Sequence, residues 1–122
     1  MNESIFINIL IFGFILLFVF QRFITRKGMK QITTTELKRE LEDKKKQFID
    51  VRTPSEFRTK HIKGFQNIPL AELRQQSHHL SKEREVFVIC QSGMRSAKGS
   101  RVLRKLGFKR VTNIKGGMNT WI

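Results

Sequence analysis

The sequence has no tyrosine, one tryptophan, two prolines and a single cysteine in 122 residues. One cysteine excludes any disulfide within the chain, so a packed core must hold the fold, and a free thiol suits a reducing compartment. The three histidines show no metal-ligand spacing with that cysteine, and neither a metal site nor a cofactor is expected. Acidic residues are scarce: 10 Asp and Glu stand against 24 Lys and Arg, a formal net charge of +14. So basic a chain invites comparison with nucleic-acid binders, but no groove-reading motif or aromatic platform accompanies the charge. No nucleic acid is expected as a partner; the basic surface suits anionic lipid or a small anion. Repeats and low-complexity segments are also missing.

What the chain has in excess is one apolar run. Across residues 5–20, fourteen of sixteen are strongly apolar, Asn8 and Gly13 being the exceptions, and the run resumes at Phe23 and Ile24. Residues 5–24 suffice to cross ~30 Å of hydrocarbon at ~1.5 Å per residue, with Arg22 reaching the headgroups. A cleaved signal peptide wants positive charge before the run and small residues at a cleavage site after it. Here only Glu3 precedes the run, and Gln21-Arg22-Phe23-Ile24-Thr25-Arg26-Lys27 closes it. Residues 5–24 therefore read as an uncleaved transmembrane helix that contacts membrane lipid. Arg22, Arg26, Lys27 and Lys30 follow the run and no basic residue precedes it, so residues 1–4 are expected outside the cell and the rest of the chain in the cytoplasm. Residues 25–31 form a short basic linker, and residues 32–122 have room for one domain.

Within that domain short strands alternate with short helices. Thr33-Thr34-Thr35-Glu36 has capping-box spacing and Leu37 pairs with Leu41 at i, i+4, predicting a first helix of about ten residues. Residues 48–51 read as a strand. Thr53-Pro54-Ser55-Glu56 repeats the capping signal, with proline at the first helical position, and predicts a helix to about Lys60. Asn67-Ile68-Pro69 is extended, and residues 70–80 are polar and weakly helical. Val86–Ile89 is an apolar run suited to a strand covered on both faces, residues 96–106 form the next helix with Gly107 just beyond it, and Val111–Ile114 is a last strand. The pattern gives an α/β fold with a mainly parallel sheet flanked by short helices.

The lone cysteine falls between the Val86–Ile89 strand and the helix after it, in Cys90-Gln91-Ser92-Gly93-Met94-Arg95-Ser96. Open α/β sheets place their ligands at the carboxyl ends of strands. A cysteine after an apolar strand is most often an inert buried thiol. Here, however, a tight loop freed by Gly93 would turn its N–H groups onto the sulfur, with the helix N-terminus behind, and so stabilise a thiolate or an anion attached to it. Cys90 is thus the candidate nucleophile. Gln91, Ser92, Gly93 and Met94 are expected to contribute mainly backbone N–H groups, and Arg95 a guanidinium able to grip an oxyanion. Asp50 and Arg52 flank Val51 at a strand end, where charges form a structural ion pair or loop hydrogen bonds. Glu56 reads as a capping residue and His61 as a structural hydrogen-bonding group.

Four residues separate Cys90 from Arg95. Phosphate-cleaving cysteine enzymes use a longer loop, wide enough for a tetrahedral oxyanion, whereas this shorter one resembles that of the rhodanese family of sulfurtransferases. Ile49-Asp50-Val51-Arg52-Thr53-Pro54-Ser55-Glu56-Phe57, His61-Ile62-Lys63-Gly64, Asn67-Ile68-Pro69 and Gly116-Gly117-Met118-Asn119-Thr120-Trp121 match further family motifs in the family's order. The likeness spans roughly residues 30–122. It departs at Lys60, where glycine is usual, and at Phe65, where a small residue is usual, and any closing helix is short. The resemblance implies a rhodanese-like fold and a sulfurtransferase in which Cys90 takes a sulfane sulfur from thiosulfate or a persulfide donor, holds it as a persulfide and yields it to a thiol or cyanide-like acceptor; it also implies that Asp50 and Arg52 lie near the active-site loop and support it. The competing expectation is a non-catalytic rhodanese-like module that binds a partner at the membrane; a phosphatase or arsenate reductase is disfavoured by the loop length.

Overall fold

The structure is a computed structural model that describes residues 2–27 and 29–122. The side chains of residues 22–27, including Arg22, Arg26 and Lys27 of the basic flank, lie outside the described residues. Helix α1 spans Glu3–Lys27. Within it, Glu3–Gln21 is long and apolar enough to cross a membrane, either as a span or as a signal sequence, and none of it is buried. Phe12, Phe14 and Phe18 are 63%, 74% and 60% exposed, an arrangement that in water leaves the apolar surface without cover.

The remaining elements build one sheet. Its strands are β1 (Lys30–Ile32), β2 (Gln47–Asp50), β3 (Gln66–Asn67), β4 (Val86–Ile89) and β5 (Val111–Ile114), in the spatial order β1-β5-β4-β2-β3. Every pairing is parallel, with Phe48 beside Phe87, Val88 beside Asn113 and Gln31 beside Asn113. The central strand β4 explains why the sheet needs cover on both sides. Its alternate residues Val86 and Val88 join a cluster with Ile49, Val51, Ile68, Leu73, Leu103 and Phe108, whereas Phe87 and Ile89 join Ile32, Leu37, Phe48, Ile62, Phe65 and Ile114 on the opposite face. Each such side chain, removed wholly from water, contributes about 1.5–3 kcal/mol. Phe87 also stacks on Phe48, their centroids 5.2 Å apart.

The helices are α2 (Thr34–Glu40), α3 (Pro54–Thr59), α4 (Leu73–Gln76) and α5 (Met94–Lys105). Both capping boxes form as the sequence predicts. The Thr33 and Thr53 hydroxyls accept from the Glu36 and Glu56 N–H groups, and each glutamate carboxylate accepts in return from its threonine N–H. Short 3₁₀ turns fill Leu70–Glu72, Ser77–His79 and, at the C-terminus, Gly117–Thr120. Besides one-residue shifts such as β2, expected over 48–51, three boundaries differ from expectation. Strand β1 takes up Lys30 and Gln31 beside β5, in a stretch expected to be linker; α2 is seven residues long; and α5 begins at Met94, two residues early. The early start matters, because it places Arg95 and Ser96 in the first helical turn.

Candidate active site

Cys90 follows the last residue of β4 and is fully buried among Val51, Val88 and Leu103. The loop turns at Gly93, whose φ of +101° lies in the left-handed region that side chains resist, and Gly93 then serves as the N-cap of α5. The turn brings the Gly93 N–H to donate to Cys90 Sγ at 3.0 Å. Ser96, itself buried, also meets the sulfur, with its Oγ 3.3 Å from Sγ. Among the first-turn N–H groups that a helix cannot satisfy internally, that of Ser96 also points at the sulfur. Burial pushes the Cys90 thiol up, but hydrogen bonds from the Ser96 hydroxyl and from the N–H groups of Ser96, Gly93 and Ser92 outweigh it. The thiol is held below its ordinary value. Ser96 was not among the residues expected at the site. Its signal was available in the sequence, as a hydroxyl at the helix start, but only the earlier start of α5 turns it inward.

Two clamps fix the loop. From the C-terminal turn, the Met118 N–H donates to the Cys90 carbonyl at 2.8 Å and the Asn119 N–H to the Gln91 carbonyl at 2.9 Å. A side chain at Gly117 would collide with the Cys90 carbonyl, which is why the close approach requires glycine there. From β2, the buried Asp50 and Arg52 form a closed pair: Arg52 Nη2 donates to Asp50 Oδ2 at 2.8 Å and Nε to Oδ1 at 3.0 Å. Arg52 Nη1 reaches Gln91 Oε1 at 3.2 Å, and Gln91 Nε2 donates to Asn119 Oδ1 at 2.6 Å. Gln91 therefore acts through its side chain as well as its backbone, joining β2, the loop and the C-terminal turn. On the β5 side, Asn113 Nδ2 donates to the Gly93 carbonyl at 3.4 Å. Its own buried Oδ1 has no hydrogen-bond partner among the described residues.

Met94 is 79% exposed and Ser92 is exposed, so both stand at the mouth of the loop. Arg95 is half-buried. Its Nη1 and Nη2 donate to Glu56 Oε1 and Oε2 at 2.7 and 3.0 Å, a two-pronged pair between α5 and α3. Hydrogen bonds from Arg95 are the largest influence on the Glu56 carboxyl and hold it down at about 2, against an ordinary 4.5. Glu56 is thus both the expected cap of α3 and the partner of Arg95, a second role that nothing in its local sequence announces. His61 Nδ1 lies 2.8 Å from the Phe57 carbonyl, and its ring stacks on Phe57.

Comparison with known proteins agrees with the geometry. The family model of the rhodanese-like domain matches residues 33–122. The Bacillus subtilis protein YqhL is 34% identical over 116 residues, covering 94% of this chain and 90% of its own. Thiosulfate sulfurtransferase 16, a chloroplast protein of Arabidopsis thaliana, is 36% identical over 86 residues, covering 61% of this chain and 72% of that one. A crystal structure of a rhodanese-like domain protein from Staphylococcus aureus superposes with a TM-score of 0.71 at 36% identity, over 77% of this chain and 92% of that one.

Proposed function

Because this chain belongs to the rhodanese-like domain family, we propose that it is a sulfurtransferase whose Cys90 accepts a sulfane sulfur from thiosulfate or a persulfide and passes it to an external thiol or cyanide-like acceptor. The observation that carries the reading is the hydrogen-bonded sulfur: a buried thiol held below its ordinary pKa by the Ser96 hydroxyl and three N–H groups is a prepared nucleophile. The Cys90 thiolate attacks the sulfane sulfur, and the donor leaves with the electron pair of the bond that breaks. The same N–H groups then receive the terminal sulfur of the persulfide. Arg95, Gln91, Ser92, Gly93 and Met94 bind the donor, while Asp50 and Arg52 hold Gln91 and the loop in place. With no second cysteine in the chain, an outside nucleophile has to remove the sulfur. Sulfurtransferase-named relatives support this reading. Cys90→Ser should abolish thiosulfate-to-cyanide transfer while the domain stays folded; transfer retained by that variant would remove Cys90 from the mechanism.

We place this chemistry on the cytoplasmic face of the membrane. The apolar part of α1 supports an anchor, and the excess of basic residues after the run supports an inward-facing domain, with residues 1–4 outside and 25–31 as the linker to residues 32–122. Protease added to intact cells should leave the domain uncut, and the same protease added to inside-out vesicles should release it. The reverse pattern would place the domain on the other side.

A further inference from the structure

Arg95, the residue offered above to an anionic donor, is already engaged. Glu56 grips it through both carboxylate oxygens, at 2.7 and 3.0 Å. Glu56 is not a side chain that happened to swing near. The Thr53 N–H and hydroxyl both donate to its Oε1 at 3.1 Å, so the capping box of α3 aims the carboxylate at α5. Arg52, the other guanidinium bordering the loop, is likewise committed, to Asp50 and to the Lys60 carbonyl. Each of these two guanidinium groups therefore meets a carboxylate before any substrate arrives.

We infer that Glu56 is a positioning residue that sets donor specificity: by competing with the substrate for Arg95, it turns the site from thiosulfate toward the persulfides of thiols. The inference rests on the sulfur-transfer reading of Cys90. The two donors load the same sulfur in balanced steps. With thiosulfate, a bond forms from the Cys90 sulfur to the outer sulfur as the bond to the sulfonate sulfur breaks, and sulfite leaves with the electron pair. With a thiol persulfide, the bond to the carbon-bound sulfur breaks and a thiolate leaves with the pair. Neither needs an added oxidant. They differ in the charge brought to the mouth of the loop. Thiosulfate is a compact dianion that must draw Arg95 off Glu56 and then sit beside the carboxylate it has stranded, a like-charge contact. Glu56 is ionised throughout the neutral range, since its carboxyl is held at about 2. A thiol persulfide has no sulfonate to place and leaves the Arg95–Glu56 pair intact.

The test compares loading rates of Cys90 in the full chain, purified in detergent, from thiosulfate and from cysteine persulfide, read by rapid quench and intact mass. Glu56→Gln keeps an oxygen to accept from Thr53 and removes the charge. It should raise the thiosulfate-to-persulfide rate ratio by about tenfold, the scale of a released charge-assisted hydrogen bond, and the gain should vanish in Glu56→Gln/Arg95→Ala. Glu56→Asp, with the charge kept and the reach shortened, should move the ratio the same way by less, and stands in if the glutamine variant fails to fold. An unchanged ratio in folded variants, or a gain that survives the loss of Arg95, overturns the inference while leaving sulfur transfer standing. No loading of the native chain by either donor overturns both.

Discussion

Two arginines border the Cys90 loop, and each is paired with a carboxylate, yet they teach opposite lessons about charge. Arg52 and Asp50 are 3% and 0% exposed at the side chain and lie two residues apart at the end of β2. Arg95 and Glu56 are 38% and 32% exposed, lie 39 residues apart, and join two different helices. Burial makes the first pair structural, because separating its members would strand a charge where water cannot reach it. Exposure makes the second exchangeable, because solvent can reach and replace either partner. One pair is locked into the fold and the other is open to competition from outside it.

The comparison breaks first at Arg52. Arg52→Met should destabilise the domain by about 3–5 kcal/mol, since Asp50 stays buried without its counter-ion, and chemical denaturation measures this directly. A loss near zero would mean that Asp50 finds water or another donor, and the two pairs would then be alike. The corresponding change on the exposed side is small. Arg95→Met should cost at most about 1 kcal/mol at neutral pH.

The pH dependence of that second loss sharpens the contrast. The folded-state pKa of Glu56 is lowered, chiefly by the Arg95 hydrogen bonds, from 4.5 to about 2. The contribution of the pair is therefore fully present above about 4.5 and is lost as pH falls toward 2. Melting curves of the native chain and Arg95→Met should separate above that window and converge below it. A constant separation at all pH values would show that Arg95 stabilises through packing and not through charge.

Much of this architecture was legible in the sequence, for physical reasons that stop at identifiable places. The unbroken apolar run Val86–Ile89 announced a strand with two covered faces, and the threonine-to-glutamate spacings announced both helix starts, because those signals are local. Strand β1 was missed because Lys30-Gln31-Ile32 carries one apolar residue; it is a strand because β5 offers it an edge, not because of its own composition. The cysteine loop could be recognised from its length and its glycine. What supports it could not, since Gln91 meets Asn119 across 28 residues and Glu56 meets Arg95 across 39. A capping glutamate looks the same in sequence whether or not a distant arginine needs its second oxygen.

The central claim, that the loop holds a sulfane sulfur on Cys90, is tested most directly by intact mass spectrometry. The chain is incubated with thiosulfate or a small persulfide, the excess is removed, and the protein is weighed before and after a thiol reductant. The account predicts a gain of about 32 Da, one sulfur atom, carried on the peptide that contains Cys90 and lost on reduction. No gain with either donor, from a folded chain whose Cys90 still reacts with an alkylating agent, would contradict it.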